Sequence, residues 1–364
     1  MSAAKKNSTK KRRRVFIGLA ISLGFLGALV FSEIALRVYV ASRGWTPNCY
    51  VTHLALLVPD SNAGYSLRKN TRLKSSGFDI RINSLGLRGP EITEDKRDHV
   101  TRIAVLGGSS VFGYLVPEGE DSCRVMEEIL RERGVHAEVI NAGVNGYSMT
   151  QCRHRYEQVV APLRPDIVIL YLGWNDTLYL IQDAGQSSLN APSAPSLTKR
   201  VFSKSTLYGL LRYRLFPEGN PVFAAPESTN SRMSKSGKRQ FRDDFNALVK
   251  TVEESGAVPV VSTQVMATSE HCEGLDWHLG STPKQIAANQ VIGRWIVNTE
   301  REIAADKQLL LIDCSKNISC NNDTLGDPIH LTKEGHRRVA ELWVQGLMPL
   351  LRSSSIDDAD GVAL

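Results

Sequence analysis

The chain has 364 residues, 42% of them hydrophobic and 23% charged, enough for one large domain or two small ones with a buried core. Its net charge of +6 is concentrated at one end. Lys5, Lys6, Lys10, Lys11, Arg12, Arg13 and Arg14 contribute seven positive charges, which leaves −1 for everything after them. A near-neutral remainder excludes the basic surface that a nucleic-acid partner needs.

Residues 1–14 therefore read as a basic tail, and VFIGLAISLGFLGALVF (15–31) follows it without a charge. A spanning helix needs roughly 17–25 apolar residues. Ser32, Ile34, Ala35 and Leu36 extend the run to 36, with Glu33 placed near the far interface. The expectation is a transmembrane signal anchor over 15–36. Basic residues on its N-terminal side hold that end in the cytoplasm and put the rest on the extracytoplasmic side. A cleaved signal peptide competes with this reading, although the run is longer than a usual signal core and no clean A-x-A site follows it. A buried soluble helix is the third reading.

The six cysteines (Cys49, Cys123, Cys152, Cys272, Cys314, Cys320) would then meet an oxidising compartment. Cys314 and Cys320 are close enough to close a small loop, but spacing does not set connectivity, and no C-x-x-C pair suggests zinc.

Residues 37–77 read as a stalk and lead-in without strong periodicity. FDIRINSLGLRGPEI (78–92) is a short strand and a turn punctuated by Gly-Pro. A regular alternation then begins. RIAVLG (102–107) is a buried strand, 121–134 an amphipathic helix stopped by Gly134, and HAEVINAG (136–143) the next strand. A helical stretch around 148–161 precedes DIVILYLG (166–173), apolar on both faces. A helix over 240–255, the strand VPVVSTQV (258–265), a helix near 284–305, the strand LLLIDC (309–314) and a helix from Lys333 to Leu351 complete the pattern. The Ser-, Pro- and Asn-rich segment 183–239 is far longer than an ordinary connection. TLYGLLRYRLF (206–216) within it has the composition of a short amphipathic helix. The insertion is a lid or a mobile segment. The tail 352–364 is expected to be disordered.

Five β–α units with nearly all-apolar strands predict an α/β fold, a five-stranded parallel sheet with helices on both faces spanning 78–351. In such sheets, sites form at the carboxyl ends of strands near the switch in strand order. Four polar blocks fall there.

VLGGSSVFG follows the first strand. Its glycines lack the G-x-G-x-x-G spacing and the Walker Lys-Ser/Thr, so a phosphate loop is disfavoured against a plain turn or a seat for a nucleophilic serine. NAGVNG offers Gly146, whose backbone N–H no side chain would screen; a simple turn is the bland alternative. GWND places Asn175 at the mouth of the sheet, where an Asx-turn would also explain it. DPIH puts Asp327 three residues before His330, where a helix cap with Pro328 at the first helical position would also explain it. Together the blocks supply a nucleophile, hydrogen-bond donors, a base and its orienter. Serine is a poor nucleophile until a base takes its proton, and the base needs a third group to fix its tautomer.

These four blocks, in this order, resemble those of the GDSL/SGNH hydrolases, over roughly residues 80–350. The resemblance implies a flavodoxin-like three-layer α/β/α sandwich. It implies Ser109 as nucleophile, His330 as general base and Asp327 as its orienter, with an oxyanion hole of the Ser109 and Gly146 backbone N–H groups and the Asn175 side chain. Gly108 stands where the family pattern has Asp. INSLGLRGPEI also resembles a lead-in of membrane-tethered members, in which Arg88 would neutralise a substrate or the sheet edge. His336 is expected on a helix surface, and Trp174 either lines the pocket or packs.

The expected activity is that of a membrane-anchored serine esterase acting on an acylated glycan or a lipid, with neither metal nor organic cofactor. An O-acyltransferase using the same residues is the first rival, and a non-catalytic carbohydrate-binding protein the second. The number of subunits is not readable from the sequence.

Overall fold

The computed structural model describes residues 2–47, 56–76, 78–114, 116–181, 201–202, 204–215, 232–267, 272 and 283–360. The chain divides into two compact units. One comprises Met1–Ala55, Leu73–Ser76 and Pro195–Glu218; the other comprises the remainder.

The smaller unit is built on helix α1 (Ser2–Ser42), whose stretch Arg12–Ser42 is long and apolar enough to cross a membrane; the most apolar part of it is not buried within the molecule, while Val40 near its end is. Phe16, Phe25 and Phe31 are all exposed along it.

Before the α/β core come four short strands, of which only the last was expected from the sequence. β1 (Leu57–Asp60) and β2 (Gly64–Leu67) of the larger unit pair antiparallel within what reads as a lead-in; β3 (Thr71–Lys74) falls where the division between the units passes, and β4 (Asp79–Ile82) is the short strand expected within 78–92. After β4 the Asn83 side chain organises the turn of the INSLGLRGP segment. Its Oδ1 accepts from the N–H groups of Leu85 and Leu87, and its Nδ2 donates to the Pro90 carbonyl. Arg88 is carried inward at the end of that turn.

The α/β core then proceeds as β5 (Thr101–Gly107), helix α2 (Ser122–Glu132), β6 (Ala137–Asn141), helix α3 (Met149–Arg155) and β7 (Ile167–Tyr171). Helix α4 (Thr206–Leu215) confirms a helix within the inserted segment and belongs to the smaller unit; residues 182–200, 203 and 216–231 lie outside the described residues. Helix α5 (Lys235–Glu254), β8 (Val258–Ser262), helix α6 (Pro283–Asp306), β9 (Leu310–Ile312) and helix α7 (Lys333–Asp360) complete the chain. Helix α7 runs on through residues expected to form a disordered tail.

The five core strands are all parallel, in the order β6-β5-β7-β8-β9. This is the flavodoxin-like arrangement, with its reversal of direction between β5 and β7. Every residue of β7 is buried, as a central strand covered on both faces requires. Asp121 caps α2 by accepting from the Arg124 N–H, and Cys123, Met126 and Leu130 turn the apolar stripe of that helix into the core. Among the described residues, one disulfide joins Cys272 to Cys320; Cys314, the nearer neighbour of Cys320 in sequence, is a buried free thiol.

Candidate active site

The chain leaves β5 at Gly107 and enters a single helical turn, Ser109–Phe112. Neighbouring serines on that turn have different fates. Ser110 Oγ donates to the Ile329 carbonyl at 2.8 Å and is thereby occupied. Ser109 Oγ instead lies 2.6 Å from Nε2 of His330, across 221 residues of sequence. The other imidazole nitrogen, Nδ1, is 2.5 Å from Oδ2 of Asp327.

Asp327 does two things with two oxygens. Oδ1 accepts from the backbone N–H groups of Ile329 at 3.0 Å and His330 at 2.9 Å, which folds the loop, while Oδ2 holds the imidazole. Burial opposes ionisation of this carboxyl, but the hydrogen bond and charge of His330 and the two backbone donors outweigh it and hold the group below its ordinary range. Asp327 is not the cap of helix α7. Thr332 has that role, its Oγ1 accepting from the Gly335 N–H at 3.1 Å.

Strand β7 ends in the turn Trp174–Asp176. Asp176 is buried and accepts from the Met149 N–H at 3.1 Å, which ties this turn to the start of α3. Burial pushes its carboxyl up to about 8, so it is predominantly protonated at neutral pH. Trp174 packs: it is only 6% exposed, and its backbone N–H donates to Gln264 Oε1. Asn175 Nδ2 donates to the Tyr147 carbonyl at 2.9 Å.

The departure at Gly108 acquires a physical reason here. A Cβ built on Gly108 would sit 2.4 Å from Asn175 Nδ2, so the glycine leaves the space that the Asn175 amide fills. Gly146, at φ +79°, is in the left-handed region that favours glycine, on the loop after β6. Among the described residues, neither the Ser109 nor the Gly146 N–H donates a hydrogen bond within the fold. The structure thus joins Ser109, His330 and Asp327 by hydrogen bonds, and sets Asn175 against the backbone of the Ser109 turn.

One sequence reading is narrowed and another corrected. Arg88 is not turned to solvent: its backbone bridges Asn141 at the end of the edge strand β6, in keeping with the sheet-edge alternative, and its side chain is enclosed. It is 1% exposed and donates to the carbonyl oxygens of Phe112, Gly113 and Val116, the segment that leaves the Ser109 turn. His336 is not on a helix surface but fully buried, with Nδ1 accepting from the Ser122 N–H at 3.1 Å and facing Ser122 Oγ at 2.7 Å. Burial drives this imidazole down to about 3, so it is neutral at physiological pH.

One residue escaped the sequence reading. Tyr114 is 42% exposed, and its ring centroid lies 5.0 Å from that of His330. It follows the VLGGSSVFG block directly, so the turn that carries Ser109 also delivers it. Among the described residues, no group of three or more His, Cys, Asp or Glu side chains is disposed to hold a metal ion.

Comparison with known proteins adds the family. The chain is similar in fold to the acetyl xylan esterase AlAXEase, at 17% identity and a TM-score of 0.42, over 68% of this chain and 100% of that one. Axe2, an acetylxylan esterase from Geobacillus stearothermophilus, is 14% identical with a TM-score of 0.40, over 68% of this chain and 94% of its own. The lipase/acylhydrolase from Enterococcus faecalis is 14% identical with a TM-score of 0.41, over 68% and 95%. A comparison with curated proteins gave no match. The profile of the GDSL-like lipase/acylhydrolases matches residues 105–338, from the strand that carries Ser109 into the helix that follows His330. Because that match takes in more than half of its length, this chain belongs to the GDSL-like lipase/acylhydrolase family.

Proposed function

We propose that the protein is a membrane-anchored serine esterase that cleaves carboxylic esters at Ser109. The observation that carries this reading is the pair of contacts on His330, 2.6 Å to Ser109 Oγ and 2.5 Å to Asp327 Oδ2. His330 accepts the Ser109 proton through Nε2 as Oγ attacks the ester carbonyl. Asp327, held ionised, fixes the tautomer and stabilises the imidazolium that forms. The tetrahedral oxyanion is received by the Ser109 and Gly146 N–H groups and by Asn175, which exchanges its Tyr147 carbonyl for the anion. His330 then protonates the leaving alcohol, and water releases the acyl group by the reverse relay.

The apolar helix and the basic tail before it support a retained anchor with the α/β unit on the extracytoplasmic side. A Cys272–Cys320 disulfide agrees with an oxidising compartment.

Acyl transfer to a hydroxyl acceptor is a second reading, and Tyr114 favours it. An exposed aromatic face beside the general base is a platform on which a sugar ring can stack while its hydroxyl replaces water. Two portions of the full-length protein test both readings: one is treated with a serine-directed fluorophosphonate to identify the labelled residue, and the other, untreated, is supplied with p-nitrophenyl esters and acetylated glycans. Labelling at Ser109 with release of free acid supports the esterase. Labelling with acyl groups recovered on glycan favours the transferase. An unlabelled protein rejects both.

A further inference from the structure

Glu33 is an acid at the end of an apolar helix, and its partners explain its presence. Residues 15–32 are uncharged; at about 1.5 Å per residue they measure about 27 Å, close to the hydrocarbon thickness of a bilayer. Glu33 therefore marks the far boundary of that layer. At that level its carboxylate receives the start of a second helix. Oε2 accepts from Ser205 Oγ at 2.8 Å and the Leu207 N–H at 2.9 Å, and Oε1 from the Thr206 N–H at 3.0 Å. Arg37, one turn further along α1, donates to Oε1 at 2.6 Å and to the Lys204 carbonyl at 2.7 Å. The first two orphan N–H groups of α4, those of Thr206 and Leu207, are thus satisfied by α1 itself, while Ser205 takes those of Tyr208 and Gly209.

The remainder of this segment is unsuited to water. Val201, Phe202, Leu211 and Leu215 are between 46% and 65% exposed, and Leu211 and Leu215 share one face of α4. The helix sequence TLYGLLRYRL carries Arg212 and Arg214 and no acid. Apolar groups beside cations, starting at the depth of Glu33, match the boundary between acyl chains and anionic headgroups.

We propose that residues 201–215 form a membrane-surface element: α4 is pinned by Glu33 and Arg37 to the anchor and lies in the headgroup layer of the leaflet distal to the basic N-terminus. The proposal rests on the reading of α1 as a retained membrane span. It gives this part of the insertion a lipid partner in place of a role as a lid. It also links the insertion to retention of the anchor, because the cap exists only in a chain that keeps residues 33–37.

The full-length chain, reconstituted in phosphatidylethanolamine–phosphatidylglycerol vesicles, tests this. A nitrobenzoxadiazole label is placed at Leu215→Cys, and at exposed Lys307→Cys as a control, in a Cys49→Ser background. The proposal expects the Leu215 label to be quenched by lipids carrying a shallow nitroxide and protected from iodide, with the reverse at Lys307. Glu33→Gln, with its thermal unfolding unchanged, is expected to reduce the nitroxide quenching at 215 by about twofold, since one neutral amide replaces a charged cap. Iodide quenching at 215 equal to that at 307, in a chain that still floats with vesicles after a carbonate wash, overturns the proposal alone. Unchanged quenching in Glu33→Gln overturns the role of the cap. Failure of the wild type to float overturns the membrane reading and this proposal with it.

Discussion

Two serine–histidine contacts, with their histidines six residues apart in sequence, sit at opposite extremes of environment. Ser109 and His330 meet at the carboxyl end of the sheet, where the imidazole has a carboxylate on its far nitrogen and an exposed tyrosine beside it. Ser122 and His336 meet in the interior, where Nδ1 faces the serine and Nε2 has no hydrogen-bond partner among the described residues. Both pairs have short contacts, so distance alone does not make a relay. A relay needs a third group to stabilise the imidazolium, and a route by which substrate can arrive. The buried pair has no carboxylate hydrogen-bonded to its imidazole and no opening to solvent; the charge of Asp121 favours protonation of His336, but burial outweighs it and keeps the ring neutral.

The largest test of that contrast is to remove each serine. Ser109→Ala is expected to lower ester turnover roughly a thousand- to a millionfold, and Ser122→Ala by less than about threefold; steady-state kinetics on an activated ester decide it. Equal losses would place both serines in the chemistry. Next comes the space above the nucleophile turn. Gly108→Ala sets a Cβ against Asn175 Nδ2 and is expected to lower kcat about a hundredfold with a small change in KM, as loss of an oxyanion donor does. An unimpaired variant would remove Asn175 from the proposed hole.

Stability against pH separates the buried groups. His336 stays neutral down to about 3 in the folded chain, against an ordinary value of 6.5. The unfolded chain therefore takes up a proton first, and stability is lost as pH falls from about 6.5 toward 3. Asp176 has the opposite sign. It keeps its proton up to about 8 rather than 3.8, so its contribution is complete below 3.8 and is lost as pH rises through about 8. His336→Gln is expected to flatten the acid limb of a thermal-unfolding profile and Asp176→Asn the alkaline limb, each by several degrees; an unaltered limb contradicts the corresponding assignment. The smallest effect belongs to Ser110→Ala. Loss of its bond to the Ile329 carbonyl is expected to cost about 1 kcal/mol in denaturant titration, with turnover changed less than about tenfold.

The alternation of apolar strands and amphipathic helices was readable because period and length are local properties, and so were the four polar blocks at strand ends. The burial of His336 was also within reach. It lies on the stripe of Val339, Ala340 and Trp343, all fully buried on α7, and three- and four-residue spacing alone puts it inside. The Asn175–Gly108 contact was not accessible, because it joins the ends of two strands paired across the switch in the sheet. Nor was the β1–β2 hairpin, whose strands have only four residues each, too few for alternation to stand out. The Glu33 cap depends on Ser205, Thr206 and Leu207, far along the chain, and a sequence gives no sign of such a partner.

Under the proposed relay, the 221-residue gap between Ser109 and His330 also governs when reactivity can begin. Ser109 emerges just after the first core strand, whereas His330 follows the last one. A nascent chain would then carry an inert hydroxyl until the final β–α unit docks. Chemical competence and completion of the sheet would be the same event, and a chain cut short before residue 327 is expected to leave esters intact.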